Sequence, residues 1–157
     1  MKTTALGISL LLLVVGYAPA AVAQSQFPTI STRQFVSGSA VVKVTGSFQI
    51  DAEIPISGSS WGEPDKTWLQ YGLSGTAEPE ATITFDPYEI GIIVGLNKKT
   101  ATAGIQKGDA KPQCTGKVEV TPKLITGHYT CPGVTSYDPG TRQMGTVNIE
   151  VRFTARS

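Results

Sequence analysis

Two stretches of this chain alternate apolar and polar side chains with a period of two, and that pattern dictates strands rather than helices. Across 40–54 the even positions read Ala40, Val42, Val44, Gly46, Phe48, Ile50, Ala52 and Ile54. After Val41 the odd positions read Lys43, Thr45, Ser47, Gln49, Asp51 and Glu53. Successive strand side chains point to opposite faces, so this segment buries one face and wets the other, whereas a helix would scatter the apolar set around its axis. The pattern predicts one long strand, bent near Gly46. The C-terminal stretch repeats it, with Val147, Ile149, Val151, Phe153 and Ala155 alternating with Asn148, Glu150, Arg152, Thr154 and Arg156.

Between these two lie Leu69/Tyr71/Leu73 and Ala81/Ile83/Phe85, which predict half-buried strands. Residues 90–96 are apolar on both faces and predict a central strand; 100–106 predict a weaker, edge-like one, and 29–36 a short one. Gly and Pro punctuate the runs at Pro55, Gly62-Glu63-Pro64, Asp86-Pro87, Pro132-Gly133 and Asp138-Pro139-Gly140, and 57–66 reads as an irregular surface loop. Short strands between such turn signals predict an all-β fold: a small antiparallel β-sandwich of about eight or nine strands, immunoglobulin-like or jelly-roll-like.

The N-terminus reads as a cleaved signal peptide over 1–23. Lys2 supplies the positive end, 6–18 is almost wholly apolar, and Ala21-Val22-Ala23 offers small residues for cleavage. The apolar run is too short to span a bilayer as a helix. One domain, 24–157, follows, and the expected location is exported, periplasmic or secreted. Losing Lys2 takes the 13 basic residues to 12, against 12 acidic ones. That balance offers no electrostatic footing for nucleic acid, which selects clustered Lys and Arg.

The two cysteines obey a simple register. If Thr121-Pro122-Lys123-Leu124 makes a turn, Val120 falls opposite Ile125, Val118 opposite Gly127 and Gly116 opposite Tyr129. Continuing outward, Cys114 falls opposite Cys131, on the same face and within disulfide reach. A slip of one residue would separate them. An exported chain can keep such a bond, so a structural disulfide Cys114–Cys131 is expected.

Candidate chemistry is sparse. His128 is the one histidine, and its parity, opposite to Tyr129 and Cys131, puts it on the solvent face. Glu63 and Asp65 beside Glu78 and Glu80 offer oxygen ligands for calcium, but without an EF-hand-type loop, so neither metal nor cofactor is expected. The suggestive feature is aromatic: Trp61, Trp68 and Tyr71 lie in and just after the Gly/Ser/Pro-rich segment, with Glu63 and Asp65 between them. Such residues stack on sugar rings or anchor a protein partner; alternatively, Tyr71 joins Leu69 in the core. The expected function is a non-enzymatic exported protein with a structural, adhesion or binding role towards a protein or glycan. A carbohydrate-binding module using Trp61, Trp68 and Tyr71 is the alternative, and a small hydrolase with His128 as base ranks below both.

Overall fold

The computed structural model describes residues 32–157, and every regular element among them is a strand. In chain order these are β1 (Arg33–Gln34), β2 (Ser39–Gly46), β3 (Ile50–Pro55), β4 (Trp61–Glu63), β5 (Lys66–Tyr71) and β6 (Glu80–Phe85), then β7 (Glu89–Leu96), β8 (Lys99–Gln106), β9 (Thr115–Val120), β10 (Leu124–Asp138) and β11 (Gln143–Arg156). They form one curled antiparallel sheet ordered β1-β4-β5-β6-β7-β8-β10-β11-β2-β3, with β9 added on β10. The all-β, antiparallel expectation holds, with eleven strands in place of eight or nine. Among the described residues no helix is long and apolar enough to cross a membrane. The signal peptide expected at 1–23, and the start of the strand expected at 29–36, lie outside the described residues.

The segment 40–54 is a hairpin rather than one bent strand. β2 and β3 pair with Ala40 opposite Ile54, Val42 opposite Ala52 and Val44 opposite Ile50. Five residues separate Val44 from Ile50, and an odd number returns the chain with its parity intact. The apolar even positions therefore stay on the inner face through the reversal, and the alternation reads as unbroken. Gly46, at φ 124°, fits the turn against β11, where a Cβ would come within 2.3 Å of the Thr146 carbonyl oxygen.

β10 spans fifteen residues and continues without a break through Pro132-Gly133, which the sequence suggested as a turn. A β-bulge sits there instead: Cys131 pairs with Ile149, and the next pair is Val134 with Val147. Gly133 adopts φ 64°, and its N–H donates to Asn148 Oδ1 at 2.9 Å. The extra residue flips the inward parity from Ile125, Tyr129 and Cys131 to Val134 and Ser136, all buried. It also redirects the strand. Before the bulge β10 pairs with β9, and after it β10 pairs with β8 at Ser136–Ala101 and Tyr137–Thr100.

The β9–β10 hairpin has the register deduced from the cysteines, with Val120 opposite Ile125, Val118 opposite Gly127 and Gly116 opposite Tyr129. Thr121 closes the turn through its N–H to the Leu124 carbonyl at 2.8 Å. Cys114 and Cys131 are bonded, with their Cα atoms 4.1 Å apart and both side chains buried.

The curled sheet has two halves, or walls: β1 and β4–β8 form one, and β2, β3 and β9–β11 the other. Just beyond β3 the chain meets β5: the Gly72 N–H donates to the Pro55 carbonyl at 2.9 Å, and the Ser57 N–H to the Gln70 carbonyl at 2.7 Å. The interior carries Phe35, Leu69, Ile83, Ile92, Val94, Ile125, Ile149, Val151 and Phe153. Tyr129 and Phe153 stack with ring centroids 6.4 Å apart. Gly127 makes room for that stack, because a Cβ there would lie 2.4 Å from the Phe153 ring. Leu73, expected in a strand, lies beyond the end of β5 and is 68% exposed.

Two predictions concern stability. The disulfide closes a separation of 17 residues. Replacing both cysteines by serine lowers unfolding stability by about 3 kcal/mol in the chain-entropy model, read as a lower urea midpoint. The second is alkaline. Burial raises the Tyr129 hydroxyl from 10.0 to about 12, and raises that of Tyr71 as well. Above the unfolded value the folded state holds more protons than the unfolded one. Stability is therefore complete below about pH 10 and falls as pH rises through the folded value of Tyr129. Urea midpoints followed beside phenolate absorbance check this; a midpoint that stays level across that window would contradict it.

Candidate functional site

Local sequence builds an aromatic pair on the outer face. The segment expected as a loop over 57–66 is irregular only through 57–60; from Trp61 it becomes a tight hairpin. β4 and β5 pair with Glu63 opposite Lys66 across Pro64-Asp65, Gly62 opposite Thr67 and Trp61 opposite Trp68. Directly opposite residues share a face. Thr67 and Leu69 are buried inward, so the two tryptophans stand side by side on the outer face, both half-buried.

The approach to this hairpin is fixed by Ser60. Its hydroxyl donates to the Gln70 carbonyl at 3.1 Å and accepts the Gln70 N–H at 2.8 Å. Its carbonyl accepts the Phe35 N–H at 3.1 Å. The 57–60 loop is thereby pinned to β5, and Trp61 follows at a set position. An open cleft of about 420 Å³ lies beside it, lined by Arg33, Gln34, Ser59 and Trp61 among others. Arg33 is held from the other wall by hydrogen bonds to the Thr121 and Pro122 carbonyls, with its guanidinium 5.0 Å from the Phe35 ring centroid.

Of the five residues singled out by sequence, the structure brings Trp61 and Trp68 together and sets Glu63 and Asp65, both exposed, at the hairpin tip. Tyr71 is no part of this surface. It belongs to the opposite face of β5, is fully buried, and its hydroxyl crosses the interior to donate to the Thr154 carbonyl at 3.1 Å. Desolvation there pushes its hydroxyl far above the ordinary value. The carboxylates considered for calcium are also separated. Glu63 lies at one end of β5 and Glu80 beside the other, roughly 20 Å apart along the strand direction. Among the described residues no three His, Cys, Asp or Glu side chains gather to hold a metal.

Strand order extends the tryptophan row in a way the sequence does not show. Trp68 is opposite Thr84, Thr84 opposite Gly91, and Gly91 opposite Gly104. The neighbouring row runs Gln70, Thr82, Ile93, Thr102. The two middle rows of this wall's outer surface thus form a strip of hydroxyls, an amide, glycines and one isoleucine, starting at the tryptophans.

The other wall differs. Lys117, His128, Arg152, Val41 and Glu53 line up across five strands, beside a second row holding Glu150, Lys43 and Asp51. Lys117 pairs with Glu119 at 2.6 Å and Arg152 with Glu150 at 3.3 Å. The hydrogen bond from Lys117, and then its charge, hold the Glu119 carboxyl below its usual range, with a smaller contribution from His128. A shallow trough of about 550 Å³ lies here over Ser39, Thr126, His128 and Thr154. His128 is exposed, as its parity predicts, and among the described residues it makes no side-chain hydrogen bond or ion pair.

Sequence reasoning passes over one motif. Gly58-Ser59-Ser60-Trp61-Gly62 has the G-x-S-x-G spacing of a hydrolase nucleophile elbow. That elbow needs a strand–turn–helix with an exposed hydroxyl. Here a loop leads into a strand, Ser60 is fully buried, and its hydroxyl is spent on Gln70. His128 lies on the other wall. No known protein family, no curated protein sequence and no solved structure matches this chain.

Proposed function

We propose that this chain is an exported, non-enzymatic binding domain of the β-sandwich type, whose contact surface is the outer face bearing Trp61 and Trp68. The observation that carries the reading is the Trp61–Trp68 cross-strand pair, half-buried on a wall that faces away from the core. Tryptophan combines a large apolar face with an N–H donor, and paired on a rigid hairpin it loses little freedom when a ligand covers it. The buried Cys114–Cys131 bond supports export, since such bonds persist in oxidising compartments. The 1–23 leader pattern supports the same location. The Tyr71–Thr154 hydrogen bond, reaching from one wall to the backbone of the other, supports the sandwich description.

The test uses the full native protein. Edman sequencing of the secreted form is expected to begin at Gln24. In sedimentation with envelope material and extracellular polymer from the native host, the wild-type protein is retained. Trp61→Ala and Trp68→Ala each weaken retention by about 2 kcal/mol, the scale of a truncated aromatic anchor, with an unchanged urea midpoint. Equal retention of wild type and both variants would remove the tryptophans from the binding surface.

A further inference from the structure

The two outer walls differ in one respect that bears on the ligand. On β2, β3 and β9–β11 the outward positions carry Lys43, Asp51, Glu53, Lys117, Glu119, Glu150 and Arg152, so acids and bases keep that wall solvated. On β4–β8 the two rows running from the tryptophans contain no ionisable side chain. Charges stand only at the strip's margins, with Glu63, Lys66 and Glu89 along one side and Glu80 along the other.

Past the tryptophans the first row is also free of large side chains. Thr84 lies across Gly91, with its hydroxyl oxygen 2.6 Å from where a Cβ would be. At the far end Gly104 carries nothing, and the nearest atom to its missing Cβ is a backbone oxygen at 3.7 Å. From β4 to β8 is four strand spacings, roughly 19 Å, the length of about four sugar rings.

We infer that this strip holds a neutral polysaccharide chain laid across the strands, from Trp61 and Trp68 over Thr84 and Gly91 to Gly104. The inference rests on the binding reading above and names its ligand. The two indoles take the apolar faces of successive sugar rings at one end. Beyond them Thr84, Thr102 and Gln70 offer hydroxyl and amide partners, which suit a polyhydroxylated chain and not a charged one. Nucleic acid and anionic membranes select clustered cations, which the strip lacks. A protein interface core is built from apolar anchors, and past the tryptophans only Ile93 would serve.

The experiment is isothermal titration calorimetry of the mature protein with gluco-, manno- and xylo-oligosaccharides of graded length, beside acidic polysaccharides. For one neutral series, affinity rises about tenfold from the disaccharide to the tetramer and then levels, the scale of one or two added ring contacts. Gly104→Glu, placed in open space, abolishes that rise and leaves disaccharide binding intact. Trp61→Ala with Trp68→Ala removes binding at every length. Length-independent binding, equal binding of acidic polymers, or no binding of any neutral series would overturn the inference. If tryptophan-dependent retention on envelope material persists without neutral-glycan binding, the glycan fails and the tryptophan surface stands. Glycan binding indifferent to both tryptophans would sink the surface itself.

Discussion

Strand β10 joins one wall to the other, and a β-bulge redirects it where its partner changes. Its first half pairs with β9, its end pairs with β8, and β11 accompanies it throughout. β9 and β8 flank the same edge of β10, one before the bulge and the other after it. The Pro132-Gly133 bulge supplies the turn, and Asn148 satisfies the backbone N–H released by it. The Cys114–Cys131 bond ties the end of β9 to the residue just before that bend. Where the sheet comes round to itself, Tyr71 and the 55–57 segment complete the enclosure by backbone hydrogen bonds and one phenol. Covalent restraint thus sits where the strand bends most, and polar restraint where the walls meet again.

Much of this was legible in the residues. The cysteine register could be counted because the intervening turn is short, each partner lies at a fixed offset, and only one offset aligns Val118, Val120, Ile125 and Tyr129 with the thiols. The inward sets of β6 and β11 follow from simple alternation. Other features were hidden for definite physical reasons. The β2–β3 turn contains an odd number of residues, so parity alone cannot tell it from a continuous strand. β4 has three residues, too few to show a period, and its Gly/Pro/Ser surroundings read as a loop. Pro132-Gly133 is chemically a turn signal, and only pairing with β11 on both sides makes it a bulge.

The candidate site was legible in its ingredients and not in its arrangement. Trp61 and Trp68 stood out by type, but their apposition needs the two-residue turn at Pro64-Asp65. Tyr71 was grouped with them by proximity in sequence, although three residues along a strand is the opposite face from Trp68. Thr84, Gly91 and Gly104 are far apart in the chain, and they meet because β5, β6, β7 and β8 are consecutive neighbours. Solvation on the charged wall has a second effect at the margins. β9 and β3 offer free backbone, and Lys117, Glu119, Asp51, Glu53 and Pro55 along them discourage pairing with another chain.

The hairpin at 45–49 carries a consequence for how such a chain can change over time. Its length acts as an even-or-odd switch. Lengthening or shortening it by two residues keeps Ile50, Ala52 and Ile54 pointing inward, whereas a single insertion would present Asp51 and Glu53 to the interior unless a bulge absorbed it. The bulge in β10 shows that the fold already tolerates one such absorbed residue, at a site where a glycine with positive φ and a spare N–H acceptor stand ready. Lineages of this domain should therefore differ in steps of two at the β2–β3 reversal and gather their single-residue length changes near Gly133.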